Sequence, residues 1–321
     1  MNFRTEIKFA KTSPLVLKQT IFSMGSCFAD NMSEILKGYR IPTCTNPFGI
    51  TYNPLSIASS LKRLLSKEIY KKEDLIEDKN LFLSLDHHGD FSKPSQEDCL
   101  NGINSSFNHA HDCLLEASVL ILTLGTAYVY RDRQSHKVVN NCHRLPASRF
   151  DRQLIKSNEI LNDLSPVLRQ VTELNPKLRI LISVSPIRHL RDSFSQNTLS
   201  KAQLITAAHG LVEEIPQVEY LPIYEIMMDD LRDYRFYEAD MIHPNQVAID
   251  YIWQQFSNTY FDSASHLAFQ KIDKLNQGLS HRPRNIESIE YLKFTEKLKK
   301  RTEELQQQYP YLNWSDTLKL D

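Results

Sequence analysis

Hydrophobic and polar positions along this chain switch between a strand-like and a helix-like period. Leu17–Met24 alternates loosely and stops at Gly25, the pattern of a first strand. Phe28, Met32, Ile35 and Leu36 then recur at helical spacing, which predicts a helix over Phe28–Tyr39. Ile41–Thr45 is short and β-prone, and Asn46-Pro47-Phe48-Gly49 marks a turn. Asn53-Pro54 opens a helix over Leu55–Leu65, with proline at a tolerated first-turn position. Ala117–Leu124 is a predominantly apolar run, as a strand buried on both faces is, and Leu178–Val184, apolar but for Arg179 and Ser183, reads as another buried strand. Tyr128–Tyr130 and Lys137–Val139 bracket Arg131–His136 and predict a hairpin. Leu154–Leu174 is helical in pattern, with a kink or division expected at Pro166. Leu199–Val212 and Asn245–Tyr260 predict helices, Val218–Ile226 contains a last strand, and Ile286–Gln308 predicts a long amphipathic helix. Lys67–Asn108 is the least regular stretch: it is polar, holds Asp86-His87-His88-Gly89, and is expected to form an insertion or lid.

Strands that alternate with helices predict an α/β fold, a three-layer parallel sheet with helices on both faces. The expected organisation is one domain over 1–321, with an insertion at about 67–108 and a helical C-terminal extension at about 262–321. Ligands of such sheets bind beyond the carboxyl ends of the strands. The unusual residues fall there: Gly25–Cys27, Thr45–Gly49, Gly125–Thr126 and Ser185–His189. The terminal helix carries Ile289, Leu292, Leu298 and Leu305 on a broad stripe; packing on the domain is the expectation, with a homodimer contact as the alternative.

Composition narrows the function classes. The 321 residues carry 38 basic and 39 acidic side chains, a net charge of −1, which gives no reason to expect nucleic acid or an anionic membrane as partner. No run of 18 apolar residues occurs, so membrane insertion is not expected. Met1–Lys11 carries Arg4, Glu6, Lys8 and Lys11 with no apolar stretch, so no secretory signal is read and a cytoplasmic location is the expectation. Cys27, Cys44, Cys99, Cys113 and Cys142 are odd in number and widely spaced, which fits reduced thiols. The histidines and cysteines are too scattered for a recognisable zinc set, and nucleotide phosphate loops are absent, so neither a metal nor a cofactor is expected.

Two constellations carry chemistry. In Asp240-Met241-Ile242-His243-Pro244-Asn245 the carboxylate precedes the imidazole by three residues. It can accept the Nδ1 proton and leave Nε2 free as a base. In Ser23-Met24-Gly25-Ser26-Cys27-Phe28-Ala29-Asp30 a strand, a glycine, a hydroxyl and a thiol lead into a helix. Backbone N–H groups at that helix start can hold an oxyanion, and its positive end favours thiolate. His87 and His88 read as surface histidines, and His189 follows a strand end near where ligands bind.

Gly25-Ser26-Cys27-Phe28-Ala29 matches the motif after which the GSCFA family is named, a family placed in the SGNH hydrolase superfamily. Asn46–Gly49, Leu124-Gly125-Thr126-Ala127, Asn141-Cys142-His143, Ser183–Pro186 and Asp240–Pro244 extend the resemblance over most of the chain. The resemblance implies a flavodoxin-like sheet and hydrolysis or transfer of acyl esters, small-molecule or carbohydrate, without a cofactor. Superfamily members resemble one another in a first block of the form Gly-Asp-Ser-Leu. Laid on Met24–Asp30, it puts the nucleophile on Cys27, while a one-residue shift puts it on Ser26. His243 would then be the base and Asp240 its orienting partner. Gly49 resembles the glycine whose amide completes the oxyanion hole. The block that usually holds an oxyanion-binding asparagine reads Gly125-Thr126-Ala127 here, and Asn141, with His143 beside it, is the expected substitute. That departure also admits a non-catalytic binding or assembly protein on a hydrolase scaffold. A redox thiol at Cys27, with Cys44 or Cys142 as resolving partner, is a third reading.

Overall fold

A computed structural model describes residues 5–9, 13–191, 193–281 and 288–315. Arg4, Lys11, the start of the expected terminal helix at Ile286 and the last residues of the extension lie outside them. Along the described chain the strands are β1 (Ile21–Gly25), β2 (Thr43–Thr45), β3 (Ile76–Asp78), β4 (Leu81–Leu83), β5 (Val119–Leu124), β6 (Tyr128–Asp132), β7 (Val138–Val139), β8 (Phe150–Leu154), β9 (Arg179–Val184) and β10 (Val218–Tyr220). The helices are α1 (Cys27–Gly38), α2 (Pro54–Ser66), α3 (Gln96–Glu116), α4 (Ser157–Leu174), α5 (Phe194–Glu214), the short α6 (Ile223–Glu225), α7 (Gln246–Tyr260), α8 (Ser263–Leu279) and α9 (Ile289–Gln308).

Five parallel strands form the central sheet in the order β10-β9-β5-β1-β2. Counted among themselves they run 2-1-3-4-5, so the strand order reverses between β1 and β5, where doubly wound sheets open a crevice. Successive side chains of a strand face opposite sides, and each side has its own core. Phe22, Met24, Leu120, Leu122, Ile180 and Ile182 pack beneath α2, α3, α4 and α5. Ile21, Val119, Ile121 and Leu181 pack against α1, α7, α8 and α9. The terminal helix docks its Leu298 and Leu305 on the domain, while Ile289 and Leu292 of the expected stripe stay exposed.

Local departures have physical causes. The expected first strand begins only at Ile21, because Gln19 takes Val16 into a turn through both backbone and side chain. Pro166 sits inside α4 without dividing it. The hairpin β6–β7 gains a third, antiparallel partner in β8. The expected irregular insertion holds the hairpin β3–β4 and the 21-residue α3. The buried face of α3 is Cys99, Ile103, Phe107, Ala110 and Leu114, a helical stripe diluted by the polar residues between. His87, expected at the surface, is buried within an aromatic cage of Phe48, Tyr70 and Phe91 and bonds Ser84 Oγ through Nδ1 at 2.9 Å. Burial pushes its pKa down to about 3, so it stays neutral.

β1 ends in a close approach. Gly25 has φ +152°, and a Cβ placed on it would lie 2.3 Å from the Thr123 carbonyl oxygen of β5. A side chain there would have to push two paired strands apart. Gly25→Ala is expected to cost roughly 2–4 kcal/mol of stability, as overpacking and backbone strain combine. Chemical denaturation measures it; a loss below about 0.5 kcal/mol, the scatter of neutral surface changes, goes against the constraint.

Candidate active site

The bonds around Gly25 set the position of the thiol. The Gly25 N–H donates to Asn46 Oδ1 at 2.8 Å, and its carbonyl accepts from Thr51 N at 2.9 Å. Ser26 N donates to Thr123 O at 3.1 Å. Ser26 is fully buried and caps α1, its Oγ accepting from Phe28 N at 3.3 Å. That hydroxyl is committed to the helix start. Cys27, the first residue of α1, is half-buried. Of the two candidate nucleophiles, the thiol is the one with access to solvent.

The helix start does not make that thiol acidic. Burial raises its pKa and the Asp30 carboxylate adds to the rise, outweighing the Cys27 and Phe28 amides and Lys201, which lower it. The expected thiolate is therefore a thiol at neutral pH, and its proton needs a base. Asp30 accepts from Asn46 Nδ2 at 2.6 Å, and burial raises its own pKa.

The base is built on the loop before α7. His243 Nδ1 lies 2.6 Å from Asp240 Oδ2, and Asp240 Oδ1 accepts the amides of Ile242 (2.8 Å) and His243 (3.0 Å). The His243 amide and ring, with the Ile242 amide, hold the Asp240 pKa down to about 2. Met241, with φ 58°, turns the chain so that both residues meet. Pro244 falls one residue before the cap of α7, since Asn245 caps it through Ala248 N. Arg188 N, beyond the end of β9, bonds Ile242 O at 3.4 Å, which anchors this exposed loop at the carboxyl end of the sheet, where Cys27 also lies.

Two residues not expected from the sequence, Lys201 and Tyr52, lie near Cys27, and His189, expected near the ligand-binding end, lies beside them. Lys201 of α5 is fully buried and donates to Gly125 O at 2.7 Å and Ser185 O at 2.8 Å, the carbonyls just past β5 and β9. Burial lowers its pKa to about 7, while the nearby Cys27 raises it. His189 has its pKa lowered to about 3 by burial and by the charges of Lys201 and His243, so its ring is neutral. Its Nε2 is buried without a hydrogen-bond partner among the described residues. Tyr52 stacks edge-on to His189 at 5.5 Å and has its pKa raised by burial, then by Cys27 and Asp30. A signal for Lys201 was present: it shares the buried stripe of α5 with Asn197, Leu204, Ala208 and Leu211.

Of the expected oxyanion donors, the Gly49 amide is bonded within its own turn. The Gly49 amide donates to Asn46 O at 2.6 Å, closing the turn in which Gly49 takes φ +75°, so the expected donation to an oxyanion is not available from it. Asn141 Oδ1 accepts from His143 N at 2.8 Å, and His143 Nε2 reaches Ser84 O at 2.8 Å. This turn packs on the loop whose His88 lies against Gly49. Neighbouring Asn140 extends toward the site, with Nδ2 3.2 Å from Ile50 O. Gly125 and Thr126 both donate their amides to Tyr52 O, at 2.8 and 3.0 Å. Thr126 Oγ1 pairs with Ser200 Oγ at 3.1 Å. Cys44 belongs to the core on the other side of the sheet from Cys27, so it is not placed as its resolving partner. Among the described residues no helix is long and apolar enough to cross a membrane.

The sequence profile described as the GSCFA family matches residues 20–256, and one described as the C-terminal domain of GSCFA domain proteins matches residues 272–320. No curated protein matches the chain. One solved structure, described as "a putative platelet activating factor from Streptococcus pneumonia", is 13% identical over 75% of this chain and 85% of that one, with a TM-score of 0.36.

Two outcomes follow from the buried charges. With its pKa lowered to about 7, folded Lys201 holds fewer protons than unfolded Lys201 between about pH 7 and the ordinary lysine range. Its burial penalty is fully present below that window and fades as pH rises through it. The unfolding free energy of the wild type relative to Lys201→Met is therefore expected to increase across the window; a flat difference contradicts the assignment. Iodoacetamide should label Cys27 slowly at neutral pH and fast only above the ordinary thiol range, as mass mapping will show. Rapid labelling below pH 7 would mean that the helix start and Lys201 prevail over burial.

Proposed function

The chain belongs to the GSCFA family, and from that premise we propose that it is an SGNH-type acyl-ester hydrolase or acyltransferase working through Cys27, His243 and Asp240. The observation that carries this reading is the 2.6 Å bond between Asp240 and His243 Nδ1, made by a carboxylate already pinned by two amides. It leaves Nε2 free at the carboxyl end of the sheet, and the thiol that needs a base lies at that same end.

The steps balance. His243 Nε2 takes the Sγ proton of Cys27 as sulfur bonds to the acyl carbon. The imidazolium, held by Asp240, returns that proton to the departing alkoxide and leaves a thioester. Water or an acceptor hydroxyl then attacks the thioester carbon and gives its proton to His243. The C–S bond breaks and the proton returns to sulfur. The amides of Cys27 and Phe28 already favour negative charge on the thiol, and the Cys27 amide is the nearest backbone candidate for the oxyanion. Neutral His189, with its unpartnered Nε2, and the Tyr52 hydroxyl are the polar groups available to hold substrate. An acylated carbohydrate or cell-envelope precursor is the substrate class that the superfamily resemblance suggests.

A second reading has its own observation: the Gly49 amide, one of the expected oxyanion donors, is already bonded to Asn46 O. A scaffold without a complete oxyanion hole would bind such ligands without turning them over.

On an activated ester, Cys27→Ala and His243→Ala should each lower kcat/KM by about 10²–10⁴-fold, with Asp240→Ala lower by about 10²-fold or more. A quenched wild-type reaction should carry the acyl group on Cys27 by mass. Unchanged turnover in the His243 and Asp240 variants rules out the triad. Acetylated sugars that bind equally to parent and Cys27→Ala, with no turnover in either, support the binding-protein reading.

A further inference from the structure

On the side of the sheet opposite Cys27, three donors meet that the sequence does not bring together. Cys44 lies on edge strand β2, its Cα paired with Phe22 of β1. His109 and Cys113 are four residues apart on α3 and so share one helix face. The donor atoms of all three lie within 4.8 Å of one another, and Cys113 Sγ is 3.4 Å from His109 Nε2. Zinc bonds of about 2.3 Å to sulfur and 2.0–2.1 Å to nitrogen, at tetrahedral angles, place donors roughly 3.5–4 Å apart. The three side chains therefore need only small rotations to share one ion.

The geometry points to a binding site for a zinc-class ion at Cys44, His109 and Cys113. Donor chemistry sets the class: two thiolates and an imidazole suit zinc, and they disfavour magnesium and calcium, which take oxygen. Charge sets the valence, since two thiolates neutralise one divalent ion and spare the core a net charge. Cys44 is buried, Cys113 half-buried and His109 exposed, so the ion enters from the His109 side and a solvent molecule completes its shell there. Burial pushes both thiols above their usual range. Binding must then release two protons and strengthen as pH rises. The ion would clip α3 to β2 two residues before Asn46, whose side chain holds Gly25 and Asp30. Its role is structural, and it stands whether or not the Cys27 site hydrolyses esters.

Cobalt(II) titrated into the reduced, chelator-stripped full chain is the probe. One ion per chain should bind, with thiolate-to-cobalt charge-transfer and tetrahedral d–d absorption that zinc displaces, and thermal stability should rise. Cys44 is buried and its replacement risks the fold, so Cys113→Ser and His109→Ala carry the test. Each should weaken binding by at least about 10-fold, and Cys113→Ser should lose part of the charge-transfer band. Cys142→Ser should leave the spectrum unchanged. Absence of the band in the wild type, its survival intact in Cys113→Ser, or its loss in Cys27→Ser overturns the site.

Discussion

The backbone of Gly25 lies too close to β5 for any side chain, and this contact sets the rest of the site. Without a Cβ, β1 can stay in register with β5 to its last residue and turn there into α1. Three polar groups at the turn are then answered from different parts of the chain. Asn46 takes the Gly25 N–H, Thr51 donates to its carbonyl, and Thr123 accepts from Ser26. The carboxyl ends of β1, β2 and β5 are tied into one knot, and Cys27 projects from it as the first residue of a helix. Ser26 is consumed in making the helix start, which is why the hydroxyl beside the thiol is not free.

Electrostatics in that knot run against simple expectation. A helix N-terminus favours an anion, but the dehydration of a half-buried thiol and a neighbouring carboxylate act the other way and prevail. A buried lysine partly compensates. Lys201 gives its protons to two strand-end carbonyls, beside both the thiol and His189. The result is a site in which the Cys27 thiol and the His189 imidazole are neutral at rest, Lys201 is near its midpoint and the Asp240 carboxylate is charged. The exposed Asp240–His243 pair is where the thiol proton would go.

The parts added to the sheet support these ends. The segment between α2 and β5 brings His87 into an aromatic cage and sets His88 against Gly49, so it forms one wall of the loop cluster. Helices α8 and α9 close the opposite core, with Asn276 holding Gly38 and Arg40 where α1 ends. Both additions buttress α1 and β2, the two elements that flank the Gly25 turn.

Much of this was written in local sequence. The apolar-rich runs of β5 and β9, the spacing in α1, the Asn53-Pro54 start of α2 and the Asp240–His243 interval each depend on neighbours within a few residues, and local physics is enough to read them. Helix α3 was harder, because its stripe of Cys99, Ile103, Phe107, Ala110 and Leu114 is thinned by charged and polar residues that face solvent. Hydrogen-bond commitments could not be read at all. That Gly49 spends its amide on Asn46, that Asn141 turns back on His143, and that Ser26 caps while Cys27 is accessible all depend on which groups find partners. Lys201 shows the division best. The sequence by itself put a lysine on the apolar face of a helix, and only the packing of α5 against β9 and β10 decided that its ammonium meets two strand-end carbonyls next to Cys27, because a cation so deeply buried is tolerated only where distant backbone acceptors converge on it.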